Sequence, residues 1–266
     1  MKPAAVAPLE AARADPWADL RALTAARIAL GRSGASLPTR EQLTFGVDHA
    51  LARDAVHAEL EIDPLQAELE AMGWPCQTVT SAAPDRPSYL MRPDLGRRLA
   101  PASAAALASL RAGSAGVDLV FMLGDGLSAT AVQRHASPLL GHLVPCLPAK
   151  TSLGPVVIAR QARVALGDEV GERLGARLVV VLIGERPGLS SPDSLGAYLT
   201  WRPRVGLTDA DRNCVSNIRP QGLDYPAAAQ RLAWLIERAL SLGVSGIGLK
   251  EESPLGPPPA RLDPPS

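Results

Sequence analysis

The chain has 266 residues, 47% of them hydrophobic and 20% charged, an ordinary globular composition that excludes a disordered chain or a membrane bundle and fits one or two domains. Residues 1–150 carry 14 basic and 15 acidic side chains and the remainder 13 and 12. Neither half has the cationic field that nucleic acid or an anionic membrane would require.

The first hundred residues read as helical. Asp15-Pro16 is a start signal, an N-cap acceptor followed by a proline whose missing N–H costs nothing. Trp17, Leu20, Leu23, Arg27 and Leu30 follow at near-helical spacing, with Gly31 and Gly34 as stops. A second helix opens at the capping box Thr39-Arg40-Glu41-Gln42 and lines up Leu43, Val47, Ala50, Leu51, Ala55 and Ala58. Asp63-Pro64 begins a third helix that stops at Gly73. Gln77–Thr80 and Ser88–Met91 read as a small strand pair around a Pro/Asp loop, and Ala102–Arg111 as an Ala/Leu-rich helix.

From Gly113 the pattern changes. Apolar runs at Val117–Leu123, Gly154–Ala159 and Leu178–Ile183 alternate with helical stretches at Ser128–Leu147 and Asp168–Gly175. Ala197–Trp201 follows as a fourth strand, Pro226–Leu242 as an amphipathic helix and Ile247–Leu249 as a last short strand. Such alternation predicts an α/β fold with a parallel sheet covered on both faces. The division is therefore 1–112, a mostly helical N-terminal region with a small strand pair; 113–252, the sheet domain; and 253–266, a Pro-rich disordered tail.

Ligands of open parallel sheets bind outside the C-terminal strand ends. Three loops lie there: Gly124–Ala129, Arg160–Val164 and Gly184–Ser191. A fourth segment, Asp211–Asn217, is too polar for core. Gly124-Asp125-Gly126-Leu127-Ser128-Ala129 matches the G-x-G-x-x-A dinucleotide fingerprint, which makes an NAD-binding oxidoreductase the alternative reading. Against it, the second strand ends in Ala159-Arg160 rather than a ribose-binding acid, and Asp125 would set a carboxylate beside a pyrophosphate. Glu185 and Arg186 leave a strand end, where a carboxylate can accept from amides and a guanidinium can donate to carbonyls or phosphate.

Cys214 by itself reads as a small buried hydrophobe. Cys76, Cys146 and Cys214 are odd in number and form no Cys-x-x-Cys, which fits a reducing cytosol and argues against structural zinc. His49, His57, His135 and His142 form no metal motif, and nucleophile elbow and Walker loop are both absent. No apolar run exceeds six residues in strength comparable to Leu178–Ile183, too short to span a bilayer, and no secretory signal is evident. The residues alone describe a ligand-binding α/β domain without a catalytic dyad.

Four strings carry a more specific resemblance: Tyr89-Leu90-Met91-Arg92-Pro93-Asp94-Leu95-Gly96-Arg97-Arg98-Leu99, Gly126-Leu127-Ser128, Val181-Leu182-Ile183-Gly184-Glu185-Arg186-Pro187-Gly188-Leu189, and Asp211-Arg212-Asn213-Cys214-Val215-Ser216-Asn217-Ile218. With them the chain resembles the small (light) subunit of ethanolamine ammonia-lyase from about Leu20 to Gly248. The resemblance implies an adenosylcobalamin-dependent carbon–nitrogen lyase that converts ethanolamine to acetaldehyde and ammonia, inactive without its large (heavy) subunit. That subunit holds substrate and chemistry; the small subunit covers the cobalamin with a Rossmann-like domain. Family cobalamin contacts carry over to Val164, Glu185 and Cys214, with no catalytic residue and no metal ligand in this chain. No Asp-x-His-x-x-Gly string is present, so the cofactor is expected base-on. The N-terminal helical region is the expected docking face for the large subunit. The expected location is the cytoplasm, with a bacterial microcompartment as the alternative, although only about 14 residues precede the first predicted helix.

Overall fold

The computed structural model of the chain describes residues 15, 17–24, 26–112 and 116–252. Two compact units emerge, one from the described residues up to 54 with 188–192, the other from 55–187 with the described residues from 193 onward. Pro16 of the first predicted start signal and the predicted tail lie outside the described residues.

In the first unit, the helix predicted over 17–30 is instead a six-residue 3-10 segment, Ala18–Leu23. Trp17 and Leu23 are exposed, so this stretch lacks the apolar burial that usually stabilises so short a helix. Helix α1, Thr39–His57, forms as predicted. Its predicted apolar stripe does not pack, because Leu43, Val47 and Leu51 are exposed and only Ala55 is buried. Arg27 ties this unit together, with Nη1 2.7 Å from Asp48 Oδ2 and its guanidinium over the Phe45 ring.

The second unit is α/β. Its elements are α2 Ile62–Ala71, β1 Cys76–Thr80, α3 Arg86–Met91, α4 Pro101–Ala112, β2 Leu119–Gly124, α5 Ala129–Leu143, β3 Val156–Arg160, α6 Leu166–Leu174, β4 Leu178–Gly184, β5 Leu195–Trp201, β6 Arg212–Ile218 and α7 Tyr225–Leu242. They build one six-stranded sheet in the order β1-β3-β2-β4-β5-β6.

The expected parallel sheet proves to be mixed. β1, β3, β2 and β4 are parallel, whereas β5 runs antiparallel to both β4 and β6. Only ten residues separate β4 from β5, fewer than a helical crossover needs, so the chain turns back on itself. β1, from the segment assigned to the N-terminal region, belongs to this same sheet.

Three smaller readings also change. Residues 88–91 are the end of α3 rather than a strand: the Asp85 side chain caps the helix by accepting from the Ser88 N–H at 2.8 Å, and Pro87 sits in the first turn. The polar segment 211–217 is largely the edge strand β6, whose Val215 and Ile218 face the core and whose Arg212 is buried, while Cys214, Ser216 and Asn217 stay exposed. Residues 246–248 form a 3-10 turn in place of a strand.

The sheet separates two apolar layers. On one face α2, α5 and α7 cover Leu119, Phe121, Leu123, Val180, Leu182 and Leu199. On the other, α4 and α6 cover Val120, Met122, Val157, Val179 and Val181. Because β2 and β4 bury every residue, their sequences read as unbroken apolar runs. No helix among the described residues is long and apolar enough to cross a membrane.

Candidate functional site

The chain leaves β2 toward β3 on one side and returns to β4 on the other, so the topological switch lies at the C-terminal end of β2. That is where the fingerprint-like loop sits, and it is closed. Gly126 adopts φ +56°, and a Cβ there would stand 2.3 Å from the Gly184 carbonyl oxygen. Its glycine therefore serves close packing against the end of β4. Asp125 is buried and accepts from the N–H groups of Gln161 and Ala162, both at 2.8 Å. Burial pushes its carboxyl above the usual carboxylate range, against those two hydrogen bonds and the charge of Arg86. Arg86 Nη1 in turn donates to the Gly126 carbonyl at 2.9 Å. Gly126 is taken up by packing and Asp125 would set a carboxylate beside a pyrophosphate, so the dinucleotide alternative is not favoured.

The open chemistry lies further along the sheet, on the α6 side of β5 and β6. The layer thins here: Tyr198 is half-buried, and Cys214 and Ser216 are exposed. Cys214 is thus not the buried hydrophobe that its residue type suggested. It stands opposite Tyr198 in the β5–β6 register. Desolvation pushes the Cys214 thiol up, and so does the nearby charge of Glu185. Tyr198 is pushed up by burial, then by Cys214 and Glu185.

Glu185 follows β4 directly. Its Oε2 accepts from the Ser194 hydroxyl and, at 3.2 Å, from the Asn217 N–H. Oε1 has no hydrogen-bond partner among the described residues, and it lies 3.0 Å from where a Cβ on Gly196 would stand. A glycine at 196 leaves that carboxylate oxygen room beside the Tyr198 ring. Ser194 is held through its neighbour. Asp193 pairs with Arg134 at 2.9 Å and faces His135 Nε2 at 3.4 Å, while His135 Nδ1 meets the Tyr225 hydroxyl at 2.8 Å.

Val164 enters from the β3–α6 loop. With Tyr198 it lines a cavity of about 410 Å³, whose wall also includes Pro93, Arg97, Arg163 and Arg212. Arg212 is fixed by Asp168, with Nη2 2.8 Å from Oδ2 in a buried pair that ties α6 to β6. The three residues singled out from sequence therefore lie around Tyr198: Val164 shares its cavity, Cys214 is its cross-strand partner, and Glu185 stands with its ring beside Gly196. Arg186, by contrast, points into solvent. Tyr198 itself carried no signal in the sequence; it occupied a short apolar strand and became visible only through the register. No group of three or more His, Cys, Asp or Glu among the described residues could hold a metal ion.

Comparison with known proteins then decides the family. The model for ethanolamine ammonia-lyase light chain (EutC) matches residues 14–250. The chain belongs to the ethanolamine ammonia-lyase light chain family. Its relatives include the ethanolamine ammonia-lyase small subunit of Azotobacter vinelandii, 55% identical over 251 residues that cover 94% of this chain and 92% of that protein. The small subunits of Ralstonia nicotianae and Rhodopseudomonas palustris are each 56% identical, over 89% of this chain and 88% and 90% of theirs.

Proposed function

We propose that this chain is the cofactor-holding subunit of an adenosylcobalamin-dependent ethanolamine ammonia-lyase, acting with a large subunit to convert ethanolamine to acetaldehyde and ammonia. The observation that carries this reading is the convergence of Val164, Glu185 and Cys214 around Tyr198 on the thinly covered face of β5 and β6. The residue types suit a corrin. Glu185 Oε1 is an unspent acceptor for the N–H of a peripheral amide, while Val164, Tyr198 and the neutral Cys214 thiol offer an apolar surface to a flat macrocycle.

When bound, adenosylcobalamin supplies the radical chemistry. This chain's residues position the cofactor and exclude water from one side. The sequence holds no Asp-x-His-x-x-Gly string that would replace the cofactor's base with a histidine, so a bound cobalamin would keep its own base. The Rossmann-like label belongs to this proposal too: β2, β3 and β4 with α5 and α6 are the part that follows that pattern, and β1 and α4 from before residue 113 complete the sheet and its cover. The exposed apolar positions of α1 form the docking surface for the large subunit.

The test is co-purification of both subunits with adenosylcobalamin, read from corrin absorbance. Wild-type assembly retains the cofactor, and Glu185→Ala loses about 10-fold or more in retention, as expected for removal of a charge-assisted hydrogen bond. Equal retention by the variant removes Glu185 from the site. An active single chain would overturn the two-subunit reading.

A further inference from the structure

Arg163, in the wall of this cavity, has no counter-ion among the described residues. Arg163 is positioned with unusual firmness: its N–H donates to the Gly96 carbonyl at 2.8 Å, and its guanidinium lies 4.4 Å from the centroid of the Tyr89 ring. A Cβ on Gly96 would come within 2.9 Å of both Arg163 Cγ and the Tyr89 ring, so the glycine is what admits the stack. Tyr89 is in turn locked, fully buried, with its hydroxyl donating to the Ala162 carbonyl at 2.9 Å. Arg86 lies over the same ring at 4.7 Å, a second guanidinium that adds repulsion. Arg86 is offset by Asp125 at 3.6 Å. Arg163 pairs with no carboxylate among the described residues, and its Nε is buried without a hydrogen-bond partner.

The cavity's other cations sharpen the contrast. Arg212 is neutralised by Asp168. Arg97, exposed, has no acidic partner among the described residues and lines the same wall. The one acid in the lining, Asp209, stands 3.7 Å from Arg212 Nε. Two unpaired guanidinia, one pre-set by an aromatic stack, therefore face a space that Val164 also lines. A planar fork held in place without an anion suits a phosphate oxygen pair better than a neutral amide.

We propose that Arg163, assisted by Arg97, binds the phosphodiester of the cofactor's nucleotide arm. This rests on the cobalamin reading above and deepens it: Glu185 holds a neutral amide at the corrin edge, and Arg163 holds the anionic linker that ties the base to the ring. The string Tyr89–Leu99 then has a concrete purpose, because it supplies the stacking ring, the glycine gap and the second arginine.

Adenosylcobinamide, which has the same corrin but lacks phosphate and base, separates this role from general cofactor affinity. Binding of both corrins to the reconstituted two-subunit assembly is followed by absorbance. Arg163→Gln weakens adenosylcobalamin about 10- to 100-fold and leaves adenosylcobinamide within about twofold of wild type. Arg97→Gln, at an exposed position that spares the fold, shows the same selectivity with a smaller effect. If each variant weakens both corrins equally, or neither, Arg163 and Arg97 do not read the phosphate and the assignment is wrong. If the wild-type assembly holds neither corrin, the cobalamin reading itself fails.

Discussion

Cys214 illustrates how a residue's identity and its setting diverge. Its side chain is exposed, yet it stands across from Tyr198 in the β5–β6 register with the Glu185 carboxylate nearby. Partial desolvation and that charge both disfavour the thiolate, so the pKa rises and the group stays a neutral thiol at neutral pH. Iodoacetamide should therefore alkylate Cys214 more slowly at pH 8 than it does an unstructured thiol peptide, with the rate still climbing above pH 9. In the two-subunit assembly, adenosylcobalamin should slow this alkylation further. A rate equal to the peptide's would contradict the thiol environment, and a rate indifferent to cofactor would contradict its place beside the corrin. Glu185 was legible in sequence because a carboxylate at a strand end is unusual. Tyr198, at the centre of the cluster, was not, because its role depends on pairing with a strand that the sequence reading left as loop.

At the level of elements, the apolar runs were readable because β2, β3 and β4 are buried almost throughout, and burial on both faces leaves an unbroken hydrophobic string. β6 escaped because an edge strand keeps polar residues, here Asn213, bonded to the turn at 246–249, and the exposed Ser216 and Asn217, which look like loop. α3 escaped for a different reason: Asp85 with Pro87 is the same type of start signal recognised at Asp15-Pro16, but Tyr89 and Leu90 beside it suggested a strand. The loop between β4 and β5 is held from the other side of the sheet by the Tyr225–His135–Asp193 chain. Burial holds the His135 pKa below its usual value despite the attraction of Asp193. Burial also pushes Asp193 up, but the hydrogen bond from Arg134 and the charges of His135 and Arg134 outweigh it and leave Asp193 below the usual range. The unfolded chain therefore binds protons at both groups before the folded one does, so stability drops with pH, through the ordinary histidine range near 6.5 and then through the carboxylate range. Thermal melts should show Tm falling between pH 7 and pH 5, and His135→Gln should flatten that part of the curve. Equal slopes of Tm against pH for wild type and His135→Gln over this interval would contradict the arrangement.

For the whole molecule, the α/β fold was legible in the sequence, whereas the antiparallel turn at β5 was not, because a ten-residue connection with Pro187, Gly188 and Pro192 resembles any other loop. That reversal matters to function. It places Tyr198 and Cys214 side by side on adjacent strands, next to the Glu185 that ends β4, which a further parallel strand would not have done. The 112/113 division stands as our proposal, with the segment before it lending β1 to the sheet and Pro93 and Arg97 to the cavity wall. The account's central claim is that a corrin rests against this face in a complex with the large subunit. The direct measurement is an experimental structure of the reconstituted assembly with adenosylcobalamin. It should place a peripheral amide nitrogen within hydrogen-bond distance of Glu185 Oε1 and the macrocycle edge in van der Waals contact with Val164 and Cys214. A cofactor enclosed wholly by the large subunit, with those three side chains facing solvent, would contradict the account.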